Sequence, residues 1–189
     1  LLSAAAGAMV QDISLETIQE VFRQIHPIPG RFESIDNDQG FSVLVDYAHT
    51  DDALSKAISA AKAFTEGRLI VVLGGGGDRD KGKRKAMGQA VINEADFSII
   101  TSDNPRTEDP EQIIEDILQG VPSSAQEGID YLAIINRKEA IHHAIHLAEK
   151  NDLVLIAGKG HEDYQVIGTQ TIHFDDREVA RSALRERSH

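Results

Sequence analysis

Residues 68–94, "RLIVVLGGGGDRDKGKRKAMGQAVINE", decide the fold: a β-rich apolar run passes through four glycines and a burst of charge into a helical stretch over 84–94. The same alternation continues on both sides. "FSVLVDY" (41–47), "FSIITS" (97–102), "YLAIIN" (131–136) and "DLVLIAG" (152–158) are short β-rich runs, and helical stretches over 50–64, 110–119 and 137–149 lie between most of them. Strands alternating with helices predict an α/β fold with a doubly wound, mainly parallel sheet. Beyond it, "YQVIGTQTIHF" (164–174) predicts a C-terminal β-hairpin turning near Gly168 and Thr169, with a last helix after Asp175 and Asp176.

The glycine loop invites a phosphate-binding reading, which the spacing rejects. Gly77, Gly82 and Lys83 fall at Walker A positions, but Arg84 stands where a metal-binding Ser or Thr belongs. A dinucleotide fingerprint begun at Gly74 or Gly75 needs its third glycine at Arg79 or Asp80. What remains is a turn able to bring backbone N–H groups and the Arg79 guanidinium to the mouth of the sheet, where they can grip a carboxylate or phosphate. The bland alternative is a tight connection that needs positive φ, with its charges in water.

Ligands of open parallel sheets bind beyond the carboxyl ends of the strands. That rule selects "DYAHT" (46–50), "GGGGDRDKGKR" (74–84), "SDNPRTEDP" (102–110) and "AGKGHEDY" (157–164). In the third, rigid Pro105 holds Asp103, Asn104 and Arg106 in place, unless the segment is only a turn capping the helix near Pro110. In the fourth, Glu162 can pair with a ligand ammonium; a zinc-protease pattern fails because position 165 is Gln165. In the first, Asp46 and His49 can both reach the cleft. His142, His143 and His146 fall on one helix, and with no carboxylate or cysteine partner in view they read as surface residues.

Composition sets outer bounds. The 189 residues carry a formal net charge of -12, which opposes nucleic acid as main partner, because phosphate neutralisation needs a basic face. The exception is local: Arg79, Lys81, Lys83, Arg84 and Lys85 crowd one loop, a pattern that suits a small anion or a solvated charge run. Without cysteine there is no disulfide or thiolate site, and a cytoplasmic protein is expected. No segment approaches the length of a membrane span.

At the amino end, "LLSAAAGAMV" reads as helix. Over 12–25, Ile13, Ile18, Val21, Phe22 and Ile25 share one face behind a Ser14 cap. "HPIPGR" (26–31) then breaks the chain. Two short helices without strands cannot form a core alone, so residues 1–27 read as the helical end of another domain and 28–189 as the domain proper.

"PGRFE", "VDYAHT", "GGGGDRDKGKR", "SDNPRTEDP" and "AGKGHEDYQ", in this order, closely resemble the carboxy-terminal domain of the Mur ligases, in the branch that adds meso-diaminopimelate to UDP-N-acetylmuramoyl-L-alanyl-D-glutamate. The likeness covers almost the whole chain. It implies a Rossmann-like third domain that brings the incoming amino acid, following a UDP-sugar domain and a central ATPase domain. It further implies that Arg79 faces the diaminopimelate, that Asn104 and Arg106 hold its distal carboxylate with Asp103 completing the motif, and that Gly158 and Glu162 meet its distal ammonium. Arg31 and Asp46, and more weakly His49, match residues that touch ATP. The P-loop and the Mg2+ ligands of such enzymes would lie in the central domain, so this stretch alone is expected to be inactive. Asp51 and Lys85 stand where the family often has proline.

The resemblance implies an ADP-forming amide ligation through an acyl phosphate, part of peptidoglycan synthesis. Two other readings stay open: a stand-alone amino-acid or nucleotide-binding regulatory module, and a related ligase for lysine or glutamate. The arginine in "DNPR" argues against the latter, since it wants an anion.

Overall fold

The computed structural model describes residues 2–24 and 28–187; Ile25, assigned above to an apolar helical face, lies outside them. In chain order the elements are α1 (Leu2–Val10), α2 (Leu15–Gln24), β1 (Glu33–Ser34), β2 (Ser42–Asp46), α3 (Asp51–Lys62), β3 (Leu69–Gly75) and α4 (Gly82–Glu94). They continue with β4 (Phe97–Ser102), α5 (Pro110–Leu118), β5 (Tyr131–Ile134), α6 (Arg137–Leu147), β6 (Leu153–Ala157), β7 (Tyr164–Ile167), β8 (Gln170–His173) and α7 (Asp176–Arg187).

Six strands form one sheet in the order β1-β2-β6-β3-β4-β5, with β2 to β5 all parallel and the short β1 antiparallel at the edge. The alternation read from the sequence is therefore a doubly wound sheet. Residues of one parity on the central strands (Val43, Ile70, Val72, Ile99, Val154, Ile156) pack under α6 and α7. Those of the other parity (Leu69, Val71, Leu73, Ile100, Leu153, Leu155) pack under α3, α4 and α5. With both faces covered, strands such as β3 and β6 are apolar throughout, because neither side meets water.

Local chemistry sets where the helices begin. Thr50 accepts from the Ala53 amide, Asp109 from Glu111 just ahead of Pro110, and Asn136 from Lys138 and Glu139, each supplying an acceptor to otherwise orphaned N–H groups. Asp109 is thus the cap of α5, and the Asn104–Pro105 turn does other work. Ser14 caps α2 through the Thr17 amide. That helix buries only Ile18 of its expected face, leaving Ile13 and Val21 exposed, and α1 packs against α2.

The strand order reverses beside β3. Chain progression runs outward through β3, β4 and β5, and then α6 carries it back across the other face to insert β6 between β2 and β3. The carboxyl ends of β3 and β6 therefore face a crevice that no crossover covers, which is where such sheets bind ligands. The hairpin β7–β8 stands apart as its own two-stranded sheet and folds against the loop after β4, with Arg106 N donating to Val166 O (3.0 Å) and Gly168 N to Arg106 O (2.6 Å).

Candidate functional site

The four glycines end β3, and none of them has positive φ. The glycines allow close approach, and the positive φ that the turn needs falls on Asp78 (φ 52) instead. A methyl group on Gly74 would meet the Arg137 guanidinium and the carbonyl of Ser102; on Gly77 it would lie 1.8 Å from the carbonyl oxygen of Pro105. The strand end is pressed against the loop after β4. Gly77 N donates to Asn104 O (2.8 Å), Asp78 N to the Glu108 carboxylate (2.6 Å), and Gly82 N to Asp80 (2.9 Å). These three amides are occupied within the chain, so none of them is free to grip an anion.

The expected basic cluster also divides. Lys83, Arg84 and Lys85 lie on α4 rather than in the loop. Arg84 is buried, paired bidentately with Glu108 (2.8 and 2.9 Å) and with Asp116 (2.9 Å), while its Nη2 donates to Gly76 O (3.1 Å). Lys81 also pairs with Glu108 (3.1 Å). The Arg84 hydrogen bonds hold the Glu108 carboxyl down at about 2, against an ordinary value of 4.5. Arg84 is therefore a clamp between the glycine loop and the loop after β4. Arg79 differs: it is exposed and makes no hydrogen bond or ion pair among the described residues.

Arg79, Asp103, Asn104, Arg106, Gly158 and Glu162 come together around one cleft of about 330 Å³. His49, Tyr47, Thr50 and Lys83 also line it. Arg106 sits at φ 53, an uncommon conformation for a side chain of this size, held by its two backbone hydrogen bonds to the hairpin. Its Nη1 donates to Gly77 O (2.7 Å), which leaves the rest of the guanidinium fork for an anion. Gly158 has φ 119, a conformation that essentially only glycine adopts, and its N–H donates to Asp46 O (3.1 Å).

Beneath the cleft lies a buried layer of charge that sequence reasoning left without a role. Lys159 is fully buried, with Nζ donating to Asp103 Oδ1 (3.1 Å), Asn104 Oδ1 (3.2 Å) and Glu162 Oε2 (3.3 Å). Asn104 Nδ2 donates to Glu162 Oε2 (2.9 Å), and Asn104 Oδ1 also accepts from Val166 N (2.9 Å). Below these, Arg137 forms a two-pronged pair with Asp176 (2.7 and 2.8 Å) and donates to the carbonyls of Ala157 (3.0 Å) and Ser102 (3.4 Å), joining the ends of β6 and β4. Burial opposes the Arg137 charge, but Asp176, helped by Asp103 and Glu162, outweighs it and holds the guanidinium above its usual value. The available signal was a lysine between two glycines directly after a wholly apolar strand.

The remaining candidates gather on the neighbouring side. Arg31 lies over the Tyr47 ring (4.8 Å to the centroid), and His49 and His161 flank the same ring at 4.6 and 5.2 Å. Tyr47 is thus the centre of an aromatic and cationic cluster that the sequence reading passed over. Asp46 is nearly buried, and its carboxylate oxygens accept from the Phe32 (3.0 Å) and Ala48 (2.9 Å) amides, so its first task is to fasten the loop that carries Arg31. Asp46 and Arg31 are not among the residues lining the cleft, whereas His49 is. His142, read above as having no acidic neighbour, lies 3.3 Å from Glu186. Among the described residues no group of three or more His, Cys, Asp or Glu side chains is arranged to hold a metal ion, and no helix is long and apolar enough to cross a membrane.

Comparison with known proteins matches this architecture. Residues 30–160 match the Mur ligase, glutamate ligase domain. The chain is 50% identical over 187 residues to the UDP-N-acetylmuramoyl-L-alanyl-D-glutamate–2,6-diaminopimelate ligase of Geobacillus thermodenitrificans, covering 99% of this chain and 38% of that protein. It is likewise 50% identical over 189 residues to the ligase of the same description from Nostoc sp., covering 98% and 37%. A solved structure of a UDP-N-acetylmuramoyl-L-alanyl-D-glutamate–2,6-diaminopimelate ligase superposes with a TM-score of 0.80 at 41% identity, covering 100% of this chain and 38% of that one. The fold alone is shared with the UDP-N-acetylmuramate–alanine ligase of Thermotoga maritima, at a TM-score of 0.60 and 17% identity over 97% of this chain and 35% of that one. The chain spans about 38% of the length of its Geobacillus relative. With more than half of its residues matched to the glutamate ligase domain and its sheet superposing on that of a solved relative, the chain belongs to the Mur ligase family.

Proposed function

We propose that this chain is the amino-acid-positioning domain of an ATP-dependent ligase that joins meso-diaminopimelate to UDP-N-acetylmuramoyl-L-alanyl-D-glutamate in peptidoglycan synthesis. The observation that carries the reading is the convergence of Arg79, Arg106 and Glu162 on one cleft, two guanidinium groups and a carboxylate facing a shared hollow. A zwitterion carrying a second carboxylate and a second ammonium group has the charges to match. In this reading the open part of the Arg106 fork and the second Nδ2 hydrogen of Asn104 take the distal carboxylate. Glu162 and the Gly158 carbonyl take the distal ammonium, Arg79 closes over the ligand, and Asp103 anchors the motif from below. The Geobacillus and Nostoc relatives are named as ligases of 2,6-diaminopimelate, which supports this reading.

In the proposed reaction ATP phosphorylates the glutamyl side-chain carboxylate of the nucleotide substrate. The amino group of diaminopimelate attacks the acyl carbon, a tetrahedral intermediate forms, and phosphate leaves as the amide is made. This chain contributes orientation, since holding the amine in line with the acyl carbon can remove several kcal/mol of barrier. Closure of the domain over the other substrates excludes water that would hydrolyse the acyl phosphate.

Arg31 and His49, grouped around Tyr47, offer ATP a cation and flat rings to stack on. Asp46 has acceptor capacity left on its oxygens for a ribose hydroxyl but is chiefly occupied by backbone amides. We place the magnesium ligands and the UDP-sugar contacts in other domains; among the described residues no group of three or more His, Cys, Asp or Glu side chains is arranged to hold a metal ion. We assign residues 1–27 to the end of the central ATPase domain. The exposure of Met9, Val10, Ile13, Leu15 and Val21 supports this, because an apolar surface of that kind suits burial against another domain. An ATP-consuming reaction on a nucleotide-linked precursor places the enzyme in the cytoplasm.

Amino-acid-dependent release of ADP by the complete ligase tests the proposal. Lysine lacks the distal carboxylate and would leave the Arg106 guanidinium desolvated without an anion, so diaminopimelate should be preferred by about 10⁴ in kcat/KM. Arg106→Ala should raise the KM for diaminopimelate at least ten-fold and leave that for ATP within two-fold. A parent enzyme that prefers lysine, or an equal rise in both KM values, would show the assignment to be wrong.

A further inference from the structure

We infer that Lys159 is a positioning residue for the diamino acid: its buried ammonium sets the orientation of the Asn104 amide and of the Glu162 carboxylate, and so decides which atoms the cleft presents. The inference rests on the reading of the cleft as the amino-acid site. An ammonium group has three N–H donors, and Lys159 directs them at acceptors on three different residues, Asp103, Asn104 and Glu162. The side chain is fully buried, so all three bonds lie out of reach of bulk solvent.

The consequence for Asn104 is geometric. Its Oδ1 accepts from both the Lys159 ammonium and the Val166 amide, and rotating the amide would place N–H groups against two donors. The oxygen must therefore point inward, which forces Nδ2 toward Glu162 Oε2 (2.9 Å). Glu162 Oε2 then receives two donors, from Lys159 and Asn104, while Oε1 accepts no hydrogen bond among the described residues. Oε1 is the atom left for a ligand ammonium.

Charge follows the same division. Asp103 and Glu162 carry two negative charges against the single positive charge of Lys159, while Arg137 and Asp176 beneath them balance each other. The acidic side of the cleft is left with one negative charge, matched to one ligand ammonium. Without Lys159, the Val166 amide alone holds Asn104 Oδ1, Glu162 Oε2 loses one of its two donors, and the presented geometry loosens.

The test uses the complete ligase carrying Lys159→Met, which keeps the length of the side chain and removes the ammonium. The expected result is a rise of at least ten-fold in the KM for diaminopimelate with the KM for ATP within two-fold, in protein whose melting profile still shows one cooperative transition. Where that variant fails to fold, Asp103→Asn combined with Lys159→Met removes both buried charges and restores a single negative charge without restoring the orientation. The KM for diaminopimelate should stay raised. A folded single or double variant with an unchanged diaminopimelate KM, or with both KM values raised alike, overturns the role. If the parent enzyme releases ADP with a different amino acid instead, the functional reading fails separately, and the ratio between variant and parent is read on that amino acid.

Discussion

Replacing Gly77 by alanine should damage the fold, and replacing its neighbour Gly76 should damage only the cleft. At Gly77 the added methyl carbon would lie 1.8 Å from Pro105 O and 2.6 Å from the carbonyl carbon, both backbone atoms. Ordinary contact begins near about 3.4 Å, so one loop must retreat by roughly 1.6 Å. A retreat of that size breaks the bond from Gly77 N to Asn104 O (2.8 Å) and the bond from Arg106 Nη1 to Gly77 O (2.7 Å). The neutral bond contributes about 1 kcal/mol and the charged one about 2, so the loss is about 3 kcal/mol. For a domain of this size that lowers Tm by about 6–12 °C. At Gly76 the methyl would meet Arg106 Nη1 at 3.4 Å and Arg79 Cγ at 3.6 Å, both movable side-chain atoms. Stability should change by less than about 0.5 kcal/mol, as for surface substitutions generally. The methyl would nevertheless occupy space between the two guanidinium groups proposed to hold the ligand, and the KM for the amino acid should rise while that for ATP does not. Thermal melts and steady-state ADP release on the two variants give both numbers. A Gly77→Ala protein melting within 2 °C of the parent would refute the argument, as would equal destabilisation by both substitutions.

Two further outcomes follow from the buried charges. The Glu108 carboxyl is held at about 2 from an ordinary 4.5, chiefly by its hydrogen bonds to Arg84, so its contribution to stability is complete above pH about 4.5 and is lost as the pH falls toward 2. The stability difference between the parent and Glu108→Gln, measured by urea unfolding, should therefore be largest near neutral pH and shrink below 4.5; a difference that stays constant down to pH 3 would contradict the ion-pair account. Arg137→Met leaves Asp176 as an uncompensated buried carboxylate and should cost about 3–5 kcal/mol, whereas Arg137→Met with Asp176→Leu removes both charges and should recover most of that loss. Equal stability of the single and double variants in chemical denaturation would show that the pair is not electrostatically coupled.

Most of the architecture could be read from the sequence, because a strand buried on both faces must be apolar throughout and a helix lying on it must repeat with its own period. "RLIVVL" and "DLVLIAG" announce central parallel strands, and the motifs at strand ends name Arg79, Asn104, Arg106 and Glu162 as cleft residues. These are local constraints, each written within a few residues of its effect. The tertiary structure alone decided what those residues do to one another. The spacing of the glycine run already ruled out a phosphate loop, but only the fold shows that Gly77 packs against Pro105, a contact between segments 28 residues apart in the chain. Arg84 looked like part of a basic patch and is a buried clamp; Lys159, given no role from sequence, is an internal ammonium shared by three side chains. Burial and pairing of charge depend on which segments the sheet brings together, and the return of the chain through α6 to place β6 beside β3 is a property of the whole fold that no short stretch of sequence encodes.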